Sequence, residues 1–487
     1  MLAIALIAGA AIMLELAVAG RYGYTRDELY FIACGHHLSF GYVDQPALVP
    51  LLARLSQVLF GTSLLALRII PALCLGTIVT LTAAISRHFG AGRTGQVLAG
   101  LAAATSGEYL AAAHVLTTTI FDYTCWAITL YLVARLVVSE DVRWWAAIGL
   151  SVGVGLDAKW NIGFLVVGLC AGFVLTPARR LMRSTWFVGG VVIALAVGSP
   201  DFIWQALHGW PNFPVFDALQ GAAGHNRAIF WPWQIAYTGI ALVPLWIAGL
   251  VWCFRSQASH HLRPLAWAAA FVFLATFAAG GKPYYAGGVF VVLFAAGSVR
   301  LEEILGSFRP GQHVRRRVGM VTAAMVVSGT LMLPLAIPVL PASSFEATAM
   351  RTLDYPADDV NWPALIGLVS HEYHSLPASK RPVTALLAGA YSQAAAIDLY
   401  GSRLGLPTAY SGQNSFWLWG PPPAADRSAL TVGLPASLLR REFTSVRVVA
   451  WLDNVGIGFS GGREPIILVS GMRSSWVRAW PAFRDYS

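Results

Sequence analysis

The sequence predicts a polytopic α-helical membrane protein that carries a small α/β domain at its C-terminal end. Of its 487 residues, 56% are hydrophobic and only 12% are charged, whereas about a quarter of the residues in an ordinary soluble domain are charged. The mean hydropathy is +0.61, and apolar runs able to cross a hydrocarbon core of about 30 Å recur until about residue 340. This composition excludes a disordered chain, a coiled coil and a conventional cytosolic enzyme.

The apolar runs predict about eleven transmembrane helices. The first run lacks the basic start and the small-residue cleavage site of a signal peptide, so we take it as the first span. The predicted spans lie near residues 2–20, 64–86, 95–113, 118–138, 144–156, 161–176, 186–200, 232–253, 265–279, 285–299 and 318–340.

The net charge of +9 is explained by membrane topology. Arginines fall in alternate connections between the predicted spans, and the positive-inside rule assigns those connections to the cytoplasm. A nucleic-acid partner is therefore not predicted. These arginines are Arg87, Arg93, Arg135, Arg143, Arg179, Arg180, Arg183, Arg255, Arg263, Arg309, Arg315, Arg316 and Arg317.

The opposite set of connections carries polar residues that are costly to place near hydrocarbon. We therefore expect the functional site on the outer side of the cell membrane. The residues concerned are Asp27, Glu28, Asp44, Lys159, Asp201, His208, Lys282 and Tyr284.

The composition changes after residue 340, so the sequence predicts a membrane domain over residues 1–340 and an α/β domain over residues 341–487. Eleven spans and a cytoplasmic N-terminus place the second domain outside the cytoplasm. It has no cysteine, and the chain shows neither metal-ligand spacing nor a phosphate-binding glycine loop, so we expect no metal and no cofactor. The predicted strands are Val383–Leu387, Leu430–Val432, Val446–Trp451 and Ile466–Ser470, and the predicted helices are Ser392–Leu399 and Ala436–Phe443.

The first outer loop contains two adjacent carboxylates, Asp27 and Glu28. On a helix their side chains diverge by about 100°, so they cannot share a proton. Asp27 could act as a base or orient a hydroxyl substrate, and Arg26 could pair with either carboxylate. The alternative is that both acids only stabilise the first turn of a helix.

Two lysines stand at the ends of predicted spans. Lys159 could hold a lipid phosphate or simply extend to the headgroups, and Asp157 is near enough in sequence to pair with it. Lys282 lies in the segment Gly280–Tyr285, where two glycines end a span and Pro283 blocks a further helix. A cation beside the hydroxyls of Tyr284 and Tyr285 suits an anionic headgroup, although a lysine with interfacial tyrosines would look the same.

Asp201 and His208 are about two helical turns apart, so both could face one cleft. His208 could hydrogen-bond a phosphate or a sugar hydroxyl, although a lone histidine is more often structural.

Several motifs in order resemble the bacterial branch of glycosyltransferase family 39, the protein mannosyltransferase and aminoarabinose transferase group within the GT-C superfamily. The similarity extends over residues 22–300, and residues 391–397 and 411–420 resemble the C-terminal part of some actinobacterial members. The motifs are Asp27–Tyr30, Gly41–Pro46, Leu116–Asp122, Ala158–Asn161, Trp204–Pro211 and Gly281–Tyr285.

This resemblance implies a GT-C fold and a transferase activity. Such enzymes pass a sugar, with inversion, from a polyprenyl-phosphate carrier to a hydroxyl of a glycan, lipid or protein on the outer face of the membrane. It implies a catalytic role for Asp27, with Glu28 as its neighbour, and a substrate-binding role for Asp44, Asp201 and Tyr285. The residues expected near the donor phosphate are Lys159, Lys282, Tyr284, His208 and Arg26.

Two other functions remain open from the sequence. One is a non-catalytic protein of the same fold that binds lipid-linked sugars, and the other is a small-molecule transporter. The absence of a clear internal repeat and the large C-terminal domain weigh against the transporter.

Overall fold

The computed structural model describes residues 1–307, 312–341, 362–453 and 463–486. These residues form two compact units. The first contains residues 1–20, 63–203 and 219–339, and the second contains residues 21–62, 204–218 and 340–487. The second unit therefore combines the first loop with the C-terminal domain. The predicted domain boundary at residue 341 remains a prediction.

Residues 1–307 and 312–341 are mostly helical. The α-helices are α1 (Leu2–Val18), α2 (Arg26–His36), α3 (Leu48–Phe60), α4 (Leu64–His88), α5 (Arg93–Thr105), α6 (Gly107–His114), α7 (Thr118–Ser139), α8 (Trp144–Ala158), α9 (Ile162–Val174), α10 (Thr185–Leu207), α11 (Asn212–Gln220), α12 (Ala223–Thr238), α13 (Val243–Arg255), α14 (Arg263–Ala279), α15 (Phe290–Gly306) and α16 (Gln312–Ala336). Short 3₁₀ helices occupy Pro177–Arg183, Ile240–Leu242, His260–Leu262 and Pro283–Val289.

Five helical segments of the described chain are long and apolar enough to cross a membrane, and two bent helix pairs raise the number to seven. Shorter apolar helices include α1, α3 and α8. The predicted span 95–113 is interrupted at Ser106, between α5 and α6, and the predicted span 285–299 begins as a 3₁₀ turn. A polytopic helical protein is confirmed, whereas the count of eleven spans remains a prediction.

Glycines allow helices of the first unit to pack backbone against backbone. A Cβ atom at Gly297 of α15 would lie 2.1 Å from the carbonyl oxygen of Leu245 in α13, and one at Gly172 of α9 would lie 2.1 Å from that of Pro264 in α14. Lipid gives helices little hydrophobic reason to associate, so close contact between small residues becomes the main packing force. These two contacts allow α9 to pack closely against α14 and α13 to pack closely against α15.

The C-terminal part of the second unit is a five-stranded mixed sheet with helices. Its α-helices are α17 (Trp362–His374), α18 (Tyr391–Gly401), α19 (Ser415–Leu418), α20 (Ala436–Glu442) and α21 (Trp476–Ala479). Its strands are β1 (Thr384–Ala388), β2 (Ala409–Ser411), β3 (Ser428–Val432), β4 (Phe443–Asp453) and β5 (Arg463–Met472).

The strands lie in the order β2-β1-β3-β5-β4. β1 is parallel to β2 and β3, with Leu386 opposite both Ala409 and Leu430. β5 is antiparallel to β3 and β4. All five residues of β1 are buried, as expected for a parallel strand covered on both faces. This sheet confirms the predicted C-terminal α/β domain.

Candidate active site

Lys159 lies in an extended connection between α8 and α9. Its backbone N–H donates to the carbonyl oxygen of Gly155 and ends α8. The Nζ atom donates to Thr119 Oγ1 at 3.1 Å. It also lies 5.0 Å from the ring centroid of Tyr284 and 4.8 Å from that of Tyr285, where the negative ring faces attract a cation.

Lys282 reaches the same tyrosine from another segment. Gly280 adopts the left-handed conformation that ends α14, with φ of +66°, and Pro283 starts the following 3₁₀ helix. Lys282 Nζ lies 6.0 Å from the ring centroid of Tyr284. The structure therefore brings together four predicted residues, Lys159, Lys282, Tyr284 and Tyr285, which we call the cation cluster.

The segment 280–287, which carries three members of this cluster, is held by five side chains that donate to its backbone carbonyl oxygens. They come from three different helices and one interhelical connection, which leaves this segment little freedom to move. The bonds run from Asn226 to Gly280 (2.9 Å), from Gln234 to Pro283 (2.9 Å), from Tyr123 to Tyr284, from Asn161 to Tyr285 (2.9 Å) and from Tyr109 to Gly287 (3.1 Å).

Buried carboxylates hold two of these donors in place. Asp122 accepts from Asn161 Nδ2 at 2.8 Å and from Trp126 Nε1 at 2.8 Å. The Tyr123 hydroxyl shares its one proton between the Tyr284 carbonyl oxygen and Glu108 Oε1. A buried polar group is retained at low cost only when it is hydrogen-bonded, so this network fixes the geometry of the cluster.

Asp201 is fully buried and accepts from Trp160 Nε1 at 2.8 Å. The Trp160 ring also stacks on Phe202 at a centroid distance of 4.5 Å. Asp201 thus anchors the residue next to Lys159. The buried Oδ1 atom of Asp157 has no hydrogen-bond partner among the described residues.

In the second unit, Asp27 and Glu28 lie in the first turn of α2 and have different environments. Glu28 is fully buried and forms a capping box with Thr25, in which each side chain accepts from the other residue's backbone N–H. Asp27 is half-exposed, accepts from the Tyr391 hydroxyl at 3.0 Å and lies 3.8 Å from Arg26 Nε. Of the two carboxylates, Asp27 is thus the one accessible to a substrate.

Asp44 belongs to the same unit and is held by two donors. The Tyr30 hydroxyl donates to Oδ1 at 2.9 Å, and Asn414 Nδ2 donates to Oδ2 at 3.1 Å. Burial raises the pKa of Asp44 to about 7, against the lowering effect of the hydrogen bond from Tyr30. Burial also raises the pKa of Tyr391, and the nearby Asp27 raises it further. Asp44 therefore changes its charge near neutral pH.

His208 directly follows α10 and contacts Trp204 of that helix. Its ring stacks on Trp204 at 4.0 Å, and Nδ1 lies 2.8 Å from the carbonyl oxygen of Trp204. The ring is exposed. Its predicted role near a donor phosphate, like the roles of the other site residues, remains a prediction.

Sequence reasoning did not single out Asp122, Tyr123 and Asn161, although Asp122 and Asn161 lie inside two of the quoted motifs. Those motifs were the available signal. The sequence carried no signal for Glu108, Asn226 and Gln234, because their partners are distant in sequence. In the described part of the chain, no group of three His, Cys, Asp or Glu side chains could hold a metal ion.

Comparison with known families connects this geometry to a class of enzymes. Residues 44–204 match the family model of dolichyl-phosphate-mannose-protein mannosyltransferases. The matched segment includes Lys159 together with Asp122 and Asn161, which hold the cluster. The resemblance to glycosyltransferase family 39 is confirmed. No curated protein matches the sequence.

Two solved structures share the fold over almost the whole chain. They are crystal structures of ArnT from Cupriavidus metallidurans, one bound to undecaprenyl phosphate and one in the apo state. Each is 16% identical and covers 96% of this chain and 97% of the other, with TM-scores of 0.56 and 0.57 respectively. The family 39 match and the shared fold together indicate a membrane glycosyltransferase, as the sequence predicted.

Proposed function

We propose that this protein is an inverting glycosyltransferase that moves a sugar from a polyprenyl-phosphate carrier to a hydroxyl acceptor at the outer face of the cell membrane. The observation that carries the proposal is the cation cluster, in which Lys159 and Lys282 approach one ring, Tyr284, on a segment fixed by buried donors. The relative whose crystal structure contains undecaprenyl phosphate supports a donor of this chemical class.

Fixed cations suit the chemistry of this donor. When the bond between the anomeric carbon and the phosphate breaks, negative charge develops on the leaving phosphate. Lysines already held in place stabilise that charge more in the transition state than in the ground state, which accelerates the reaction. A lipid phosphate leaves without the acid assistance that glycoside hydrolysis needs. The scheme therefore needs one carboxylate and no metal.

Asp27 is the proposed carboxylate. It is half-exposed and ordered by the Tyr391 hydroxyl, so it can accept a proton from the acceptor hydroxyl or orient that hydroxyl. Attack by the acceptor oxygen on the anomeric carbon forms the new glycosidic bond. The oxygen loses its proton, and polyprenyl phosphate leaves from the opposite face.

The test uses the full-length protein in lipid nanodiscs. It is supplied with labelled polyprenyl-phosphate mannose, arabinose, glucose or galactose and with glycan, lipid and protein fractions of the cell envelope as acceptors. We expect one donor to release polyprenyl phosphate and to label one fraction with an inverted anomeric bond. Tight donor binding without release would instead identify a binding protein, and uptake of free solute into vesicles would identify a transporter.

A further inference from the structure

The second unit contains a cavity of about 350 Å³ whose lining residues take no part in the proposed reaction. Its walls come from the C-terminal half of α2, from α3 and the residue Thr62 beyond it, from α18, and from the loop around Pro407. Trp419 completes the lining. This volume lies in the range of small-ligand sites, and we call it the α2–α18 cavity.

One wall of the α2–α18 cavity is aromatic. The rings of His37 and Trp419 stack at a centroid distance of 4.1 Å with an interplanar angle of 15°. Phe416 packs against Trp419 at 4.4 Å and supports it from within the domain. A supported aromatic wall offers a rigid apolar surface on which the C–H groups of a sugar ring can pack.

Hydrogen-bonding groups with spare capacity face this wall. Asp398 accepts from the backbone N–H of Ala409 at 2.8 Å through Oδ1, whereas its Oδ2 forms no hydrogen bond with the described residues. The Oε1 atom of Gln57 is buried and has no partner in the described structure. Asp398 Oδ2 can accept a hydrogen bond from a ligand hydroxyl, and Gln57 Oε1 can do the same once a side-chain rotation exposes it. An unpaired buried acceptor is costly, so a ligand hydroxyl would relieve that cost.

The cavity also offers donors but no cation. Arg54 Nη1 lies 3.3 Å from His36 Nδ1; if Arg54 donates there, the neutral ring of His36 keeps its proton on Nε2 as a donor. Burial, followed by the Arg54 charge, lowers the pKa of His36, in keeping with a neutral ring. Ser402 and Thr408 add hydroxyls. Among the described residues that line the cavity there is no lysine or arginine, and Arg54 lies behind His36, so a phosphate would meet the Asp398 carboxylate with no cation in direct contact.

The lining of the cavity matches an uncharged polyhydroxyl ligand. It combines an aromatic wall, unpaired acceptors and neutral donors, and its described residues include no lysine or arginine. We propose that the α2–α18 cavity binds a neutral sugar residue of a glycan acceptor. This assignment of the acceptor class depends on the proposed transferase function. Asp27 and His36 are nine positions apart on α2, which corresponds to about 14 Å along a helix, a distance that an oligosaccharide can span. The cavity would then select glycans long enough to reach it.

The first experiment measures binding to the full-length protein in nanodiscs by isothermal titration calorimetry. The probes are linear hexasaccharides of mannose, arabinose, glucose and galactose, with inorganic phosphate as the charged comparison. We expect saturable binding of at least one hexasaccharide. Any binding of phosphate, which the cation cluster can also hold, should be unaffected by variants of the cavity. Phosphate binding at this cavity, or failure of all four sugars to bind, would overturn the proposal.

Variants assign that binding to the cavity. Trp419→Ala and Asp398→Asn should each weaken the hexasaccharide at least tenfold, because the first removes the wall and the second replaces the Oδ2 acceptor with a donor. Asp398→Asn keeps the acceptor for Ala409, and Trp419→Phe should retain most of the affinity, so both variants remain informative if Trp419→Ala fails to fold. Trp451→Ala is the matched control, since Trp451 is exposed on β4. If all four variants bound the hexasaccharide with the affinity of the parent, the sugar would not bind in this cavity.

Transfer assays separate this proposal from the enzyme assignment. If both hold, Asp398→Asn raises KM for a hexasaccharide acceptor at least tenfold and leaves transfer to a monosaccharide glycoside unchanged. Sugar binding at the cavity without any transfer would refute the transferase and its glycan acceptor but retain the sugar site. Transfer with the same KM in Asp398→Asn and the parent would refute the acceptor site and retain the transferase.

Discussion

Asn161 donates from Nδ2 to the carbonyl oxygen of Tyr285 at 2.9 Å, and the same amide nitrogen donates to Asp122 Oδ2 at 2.8 Å. Asn161 lies two residues after Lys159 in the sequence. Its side chain thereby joins the segment after α14 to a carboxylate of α7. Placement of the two lysines beside the same tyrosine depends on such connections. The position of the cation cluster is therefore set by uncharged side chains as well as by the lysines.

Asn161→Ala should lower kcat for sugar transfer about 100-fold, with a smaller change in the KM for donor. The reason is that a misplacement of about 1 Å at a reacting group costs about that factor. Steady-state kinetics in nanodiscs measures both constants. Thr124→Ala is the control, because the Thr124 hydroxyl of α7 donates to the Ile120 carbonyl oxygen of its own helix. A kcat within threefold of the parent would mean that Asn161 does not position the cluster.

Lys282→Gln should reduce kcat/KM for the donor by about 10²–10³, the usual loss when one group that stabilises developing charge is removed. Lys282→Arg should retain more activity because it keeps the charge. The chain has only three lysines, and the third, Lys380, is exposed. Lys380→Gln is thus a natural control. Unchanged donor kinetics in Lys282→Gln would exclude Lys282 from the phosphate site.

Asp27→Asn should lower kcat by about 10²–10⁴, the range typical of general acid–base catalysis, while the amount of folded protein stays the same because the side chain is half-exposed. Tyr391→Phe, which removes only the hydrogen bond to Asp27, should lower kcat by less than tenfold. Transfer assays and thermal unfolding of the same preparations test both. Full activity in Asp27→Asn would refute its role as base or orienting group.

The raised pKa of Asp44 gives a prediction for stability. Between its ordinary pKa of 3.8 and the folded value of about 7, the folded state holds a proton that the unfolded state has released. The free energy of unfolding contributed by Asp44 therefore falls as the pH rises through this window, and changes little above it.

Asp44→Asn removes this titration. The unfolding temperature of the variant minus that of the parent should rise from pH 4 to pH 7 and then level off. Differential scanning fluorimetry over that pH range provides the measurement, and Asp217→Asn, at an exposed position, is the control. A difference that stays constant with pH would contradict a buried Asp44 that titrates near neutrality.

The outward orientation of the C-terminal domain is testable by cysteine labelling. Ser379→Cys, at an exposed position of that domain, should react with an impermeant maleimide in intact cells. Arg183→Cys, in a connection predicted to be cytoplasmic, should react only after the cells are broken. The parent protein controls for its five native cysteines, four of which are buried. The opposite labelling pattern would reverse the predicted topology.

Local patterns determined much of the C-terminal domain. Alternating and fully apolar runs predicted β1, β3, β4 and β5, and the structure confirms each one with slightly different ends. The three-residue strand β2 was missed because so short a run carries too little pattern. Helix α17 was missed too, because its short apolar stretch is followed by polar residues and two histidines and could not be assigned to a helix or a strand from its pattern.

The sequence by itself determined that the chain is a membrane protein with a C-terminal α/β domain and a resemblance to glycosyltransferase family 39, because composition, apolar run length and short motifs are local properties. Only the tertiary structure decided that Lys159 and Lys282 share the ring of Tyr284, and that Asn226 and Gln234 hold that segment. It also decided that Glu28 is buried as a helix cap while Asp27 is accessible. These relations join residues distant in the chain or depend on burial, and burial is a property of the packed molecule.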